Sequence, residues 1–171
     1  MPALRPVWTV TYWAMILGPP FAWVKDHVAI VTIINGASMY PFLNADMDTT
    51  TTRDVVLCKK WAAKENLERG MVVTLISPRN PEVIAIKRIV GLEGDTVQTR
   101  EPYPSPTVTV PQGHVWVQGD GREKVTLDSN TYGPVSVQMI TGKVTHMLLP
   151  VRKFGPVKWW DHDSALGSRR Q

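Results

Sequence analysis

Val83-Ile84-Ala85-Ile86-Lys87-Arg88-Ile89-Val90 is rich in β-branched residues and lies between Pro81 and Gly91, which marks it as a β-strand. Side chains alternate across a strand, so Val83, Ala85, Lys87 and Ile89 share one face. A lysine therefore sits on an apolar face. Burial disfavours the ammonium form and drives the pKa down from about 10.4. A neutral amine can then accept a proton from a hydroxyl. The same residue also fits an edge-strand lysine that reaches water or pairs with Glu82. Arg88 falls on the other face, where it reads as a surface charge.

A candidate hydroxyl lies upstream, in Gly36-Ala37-Ser38-Met39-Tyr40-Pro41-Phe42-Leu43. Small residues before Ser38 allow another backbone to come close, and Pro41 ends the local strand. Ser38 is thereby presented on a rigid corner, although a serine after Gly-Ala also fits an ordinary turn. Met39 reads as packing.

The other segments repeat one pattern. Residues 28–34, 54–60, 71–76, 96–99, 107–110, 114–117, 135–140 and 143–149 are short apolar or β-branched runs, the last two hinged at Gly142. Turn sequences such as Ser77-Pro78-Arg79-Asn80-Pro81 and Pro111-Gln112-Gly113 separate them. Residues 119–134 form a long polar loop, a length that is usually functional or disordered. Many short strands with almost no helical periodicity predict a mainly β, antiparallel, barrel-like domain. The expected organisation is an N-terminal segment over 1–27, a β domain over 28–150 and a tail over 151–171.

The exception to the β pattern is residues 6–24, which carry no charge. As a helix this run approaches the roughly 30 Å hydrocarbon thickness of a bilayer. Trp8, Tyr12, Trp13 and Trp23 suit the interfaces, whereas Pro19-Pro20 would kink or end a helix. A cleaved leader and a buried or interfacial helix compete with an uncleaved membrane anchor; the anchor is the expectation. Arg5 before the run biases the remainder of the chain towards translocation.

The chain has 171 residues and a formal net charge of +4, with no block of like charges. That argues against nucleic acid as a partner. Cys58 is the only cysteine, so no intrachain disulfide and no Cys-based zinc site can form. His27, His114, His146 and His162 show no ligand spacing, and no metal site is expected.

Taken together, Gly36-Ala37-Ser38-Met39-Tyr40-Pro41, Arg53-Asp54-Val55-Val56, Lys87-Arg88-Ile89-Val90-Gly91-Leu92-Glu93-Gly94-Asp95, Gly119-Asp120 and Asp128-Ser129-Asn130-Tyr132-Gly133-Pro134 resemble the ordered boxes of type I signal peptidases. The resemblance covers roughly residues 8–150. The short chain, Ser77-Pro78-Arg79-Asn80-Pro81 and His114-Val115-Trp116-Val117-Gln118-Gly119-Asp120 look most like the mitochondrial inner-membrane members of that family.

This resemblance implies a serine endopeptidase on antiparallel sheets around a small barrel, with Ser38 as nucleophile and Lys87 as general base. The Ser38 amide would be one oxyanion donor. Some members place a second donor, a hydroxyl, at the position of Gly36, which has none. Thr126 matches a hydroxyl that orients the lysine, and Arg88 matches the residue beside the base. Asp120, Asp128 and Asn130 match positions that shape the site, or else cap the loop. No cofactor is implied. The implied substrates are precursor proteins with hydrophobic sorting peptides, bound as an added strand. The implied partners are a related protease subunit and a membrane, and the implied location is the mitochondrial inner membrane with the catalytic domain facing the intermembrane space. A bacterial or thylakoid signal peptidase and an inactive peptide-binding member are the alternatives.

Overall fold

A computed structural model of the chain describes residues 7–46, 52–121 and 126–160. Helix α1 (Val7–His27) comes first, and ten strands follow: β1 (Ala29–Ile33), β2 (Val55–Lys59), β3 (Val72–Ile76), β4 (Ile84–Gly91), β5 (Thr96–Gln98), β6 (Thr107–Thr109), β7 (His114–Gln118), β8 (Val135–Ser136), β9 (Ile140–Leu149) and β10 (Gly155–Pro156). A one-turn helix α2 (Ser129–Tyr132) precedes β8. The expected mainly β architecture is present. Eight strands form one sheet in the order β1-β2-β9-β3-β4-β7-β8, with β10 beside β9, and β5 and β6 form a separate hairpin. Every pairing is antiparallel. Register shifts in the β2–β9, β3–β9 and β4–β7 ladders are the kind of irregularity that bends a sheet.

Both faces of the sheet are covered. Val72 and Val73 are adjacent on β3 yet belong to different apolar clusters, as alternation requires. Met39, Leu43, Val56, Cys58, Val144 and Met147 pack with Val72; Leu75, Ile89, Val115, Val117 and Ile140 pack with Val73. The segment that carries Ser38 is part of the first cluster through Met39 and Leu43, both 1 % exposed. Packing, as expected, is what Met39 does.

Several expectations need correction. First, α1 is helical across Pro19-Pro20, but among the described residues no helix is long and apolar enough to cross a membrane. Lack of charge is not the same as high hydropathy: Thr9, Thr11, Gly18, the two prolines and the polar edges of the Trp and Tyr rings dilute the run. Trp8, Trp13, Leu17, Phe21 and Trp23 are nonetheless exposed on it. Second, Gly142 is not a hinge between two strands. β9 runs through it, and a Cβ there would lie 2.8 Å from Thr74 Oγ1, so the glycine allows close packing inside a continuous strand. The expected strand over 135–140 is only β8 followed by a tight helical turn, Val137–Met139. Third, Pro41 does not end a strand: β1 stops at Ile33, and Pro41 lies within the following turn. After Pro150 the chain packs back, with β10 paired to His146 and Met147 and with Val157 in the first cluster.

Candidate active site

β4 lies between β3 and β7, so Lys87 is not on an edge strand. It pairs with Val73, shares its face with Ala85 and Ile89, and is 3 % exposed. Glu82 is exposed in the turn before the strand. Desolvation by burial lowers the Lys87 pKa; the nearby Asp128 and Asp120 carboxylates act in the opposite direction, favouring the ammonium.

Arg88 is not a surface charge. It is 1 % exposed and forks onto Asp120, whose side chain is 3 % exposed, with Nη2 2.5 Å from Oδ2 and Nε 2.9 Å from Oδ1. Its Nη1 donates to the Gly70 carbonyl at 2.8 Å, and its guanidinium lies 4.4 Å from the centroid of the Phe42 ring. A planar cation with several donors can satisfy all of these contacts at once, which a lysine cannot.

The β4–β7 ladder pairs Arg88 with Gln118, and continuing the register by one residue sets Gly119 beside Lys87. A Cβ on Gly119 would lie 2.5 Å from the Ser38 carbonyl oxygen and 2.6 Å from Thr126 Cγ2. Gly121 is equally tight against the Ala37 carbonyl, and its N–H donates to the Ser38 carbonyl at 3.1 Å. The bare backbone at Gly119 and Gly121 is therefore what lets the Ser38 loop lie against the end of β7. Close approach was expected at Gly36 instead. A Cβ there would meet nothing within 4 Å, and what its φ of +86° requires is the conformational freedom of glycine.

Asp128 gathers the other side. Its Oδ1 accepts from the N–H and Nδ2 of Asn130, both at 3.0 Å, capping α2. Its Oδ2 accepts from the Gly119 N–H at 3.2 Å and from the Thr126 hydroxyl at 3.4 Å. Asn130 Oδ1 accepts from the Arg100 N–H at 2.8 Å, and Ser129 Oγ from the Val117 N–H at 3.0 Å. Asp128 and Asn130 thus perform the capping that loop chemistry predicted, and in doing so they fasten residues 126–130 to the end of β7. A shallow pocket between residues 100–102 and 126–131 opens beside Gly119 and Gly121.

The turn 119–121 thus meets the Ser38 carbonyl, Thr126 and Asp128, with Asn130 bound to Asp128 and the Asp128 and Asp120 carboxylates near Lys87, whereas Met39 packs in the core and Gly36 has open space around it. Gly121, which lies outside the quoted boxes, was missed, as was Asn44, since nothing in the sequence marks it. Gly119→Ala is expected to destabilise the protein by about 1–3 kcal/mol, because the obstructing atoms include backbone that cannot rotate away. Thermal unfolding checks this, and turnover should fall with it as the Ser38 loop is pushed outwards.

The signal peptidase family, peptidase S26, matches residues 13–103, which include both Ser38 and Lys87. Mitochondrial inner membrane protease subunit 2 of Schizosaccharomyces pombe is 41% identical over 90% of this chain and 79% of its own. The Danio rerio protein of the same name is 39% identical over 80% of this chain and 70% of its own. Mitochondrial inner membrane protease subunit 1 of Xenopus tropicalis is 35% identical over 78% of this chain and 77% of its own.

Proposed function

Because the chain belongs to the signal peptidase family, peptidase S26, and matches mitochondrial inner membrane protease subunit 2 of several organisms at about 40% identity, we propose that it is a serine endopeptidase that removes hydrophobic sorting peptides from precursors delivered to the mitochondrial intermembrane space. Ser38 is the nucleophile and Lys87 the general base. The observation that carries this reading is a lysine 3 % exposed, its pKa lowered by burial, beside a glycine turn that the Ser38 loop abuts.

The neutral Lys87 amine takes the hydroxyl proton as Ser38 Oγ attacks the scissile carbonyl. The resulting ammonium then protonates the departing amine, leaving an acyl-enzyme that water hydrolyses with the same base. Burial favours this cycle, since an exposed lysine would stay protonated at neutral pH. The Ser38 amide is one oxyanion donor. In this reading Thr126, hydrogen-bonded to Asp128, orients the amine, and Asp120 and Asn130 shape the surrounding backbone. The chemistry requires no metal or organic cofactor. The substrate lies as an extended strand beside the site.

The enzyme works at the mitochondrial inner membrane with the β domain in the intermembrane space, α1 as its membrane-contacting segment and a related subunit 1 as its partner. Ser38→Ala should retain the fold and lose at least about 10³-fold in cleavage of a quenched peptide whose apolar run ends in small side chains. Turnover at the wild-type rate would rule out Ser38 as the nucleophile.

A further inference from the structure

The segment carrying Ser38 starts at Ile34 and is closed at Asn44, a residue 1 % exposed. The Asn44 side chain bonds in two directions. Its Nδ2 donates to the Ile34 carbonyl at 2.9 Å and to the Gly36 carbonyl at 3.2 Å, on the approach to Ser38. Its Oδ1 accepts from the Asp54 N–H at 2.8 Å, while its own N–H donates to Asp54 Oδ2 at 2.7 Å. The Asp54 carbonyl in turn accepts from the Ile34 N–H at 2.8 Å. Only a carboxamide offers donors to two carbonyls and an acceptor to an N–H from one short side chain. An aspartate here would set oxygens against carbonyl oxygens. The backbone φ of 56° at Asn44 is also one that asparagine tolerates better than most residues.

The charge on Asp54, which is 2 % exposed, is balanced from elsewhere in the chain. Lys153, in the turn after β9, brings Nζ to 3.7 Å from Asp54 Oδ1 and 3.0 Å from Asp46 Oδ2. Asp46 also pairs with Arg152. These cations come from beyond residue 150 and meet the loop just after its closing residue.

We infer that Asn44 is a positioning residue for Ser38: its carboxamide closes the nucleophile loop, Asp54 holds that carboxamide in orientation, and Lys153 steadies Asp54. The inference rests on Ser38 being the nucleophile. Ser38 is then held from two sides, by Asn44 through the loop's first residues and by Gly121 through its own carbonyl. A loop released on the Asn44 side keeps its apolar anchors Met39 and Leu43 and stays folded. Its hydroxyl, however, is no longer set within attack distance, and misplacement by about 1 Å costs on the order of 10²-fold in rate.

The test uses the full chain and the quenched peptide, at a temperature well below the melting point of each variant. Asn44→Gly keeps the left-handed backbone accessible and removes all side-chain bonds. The expected result is a kcat lower by about tenfold or more, with KM and the pH midpoint of activity unchanged. A variant that melts lower yet retains the wild-type kcat would show that Asn44 serves the fold alone and would overturn the inference. Should Asn44→Gly fail to fold, Lys153→Met decides: a reduced kcat at unchanged KM supports the relay, and a wild-type kcat refutes it. Ser38→Ala is run in parallel. If it stays active, the nucleophile assignment fails and this inference with it. If it is inactive while Asn44→Gly is fully active, the positioning role alone is lost.

Discussion

Replacing Lys87 with methionine is expected to abolish peptide cleavage and, at neutral pH, to raise the melting temperature. The two effects have one cause. The lysine is 3 % exposed among Val73, Ala85 and Ile89, and its desolvation opposes the charged form. Methionine fills a similar volume with no polar head, so the cost of burying an amine disappears together with the base. Cleavage should fall by about 10²–10⁴-fold, the usual worth of a positioned acid–base group. The pH dependence has a definite sign. The folded-state pKa lies below the unfolded value of 10.5, so between the two the unfolded chain binds more protons. Wild-type stability therefore gains from rising pH across that window, and the burial cost is present in full below it. The Lys87→Met variant lacks this contribution, so the stability difference between the proteins should narrow towards alkaline pH. Wild-type activity should rise with pH through the lowered lysine pKa, because only the neutral amine accepts the serine proton. A variant less stable than wild type at every pH would mean that the ammonium is well compensated by Asp128 and Asp120, and that the lysine is structural.

Arg88→Ala is expected to be the most destabilising single change considered, at about 3–5 kcal/mol in denaturant unfolding. It would leave the Asp120 side chain charged and 3 % exposed without its fork, strip the Gly70 carbonyl of a donor and open a space beside Phe42. The neighbouring site should register the change as well. Asp120 already favours the ammonium form of Lys87, and without Arg88 that influence grows. The activity profile of any folded Arg88 variant should therefore move to higher pH. Arg88→Lys should recover little, since an ammonium cannot reproduce the bidentate contact. Arg88→Met combined with Asp120→Leu should recover much of the stability, because the cost lies in orphaning one charge rather than in losing the pair. If Arg88→Ala alone were neutral, water would have to reach Asp120, and the closed packing at this corner would be disproved.

The strands were legible because their signals are local. Alternation, β-branched runs and Gly or Pro turns located β1 to β7 to within a residue or two, and the apolar face of β4 predicted the setting of Lys87. The 119–134 loop was legible as a long polar segment, but the Asp128-capped turn α2 inside it was not foreseen, since four residues carry too little periodicity to register. The burial of Arg88 was not legible because its partner, Asp120, lies on another strand's exit. The N-terminal run was misread because counting charges overlooks the polar edges of Trp, Tyr and Thr.

By itself, the sequence determined the β class, the lysine on an apolar strand face, and the family the chain belongs to. Side-chain period and turn chemistry act within a few residues, and the chain order carries them directly. Only the tertiary structure decided that β4 is interior rather than an edge, that Arg88 is sealed against Asp120, and that Gly119 and Gly121 admit the Ser38 loop. It also decided that Asn44 clips that loop shut. Each of these depends on atoms brought together from distant parts of the chain, and burial, which shifts pKa values and makes an unpaired charge costly, exists only once they meet.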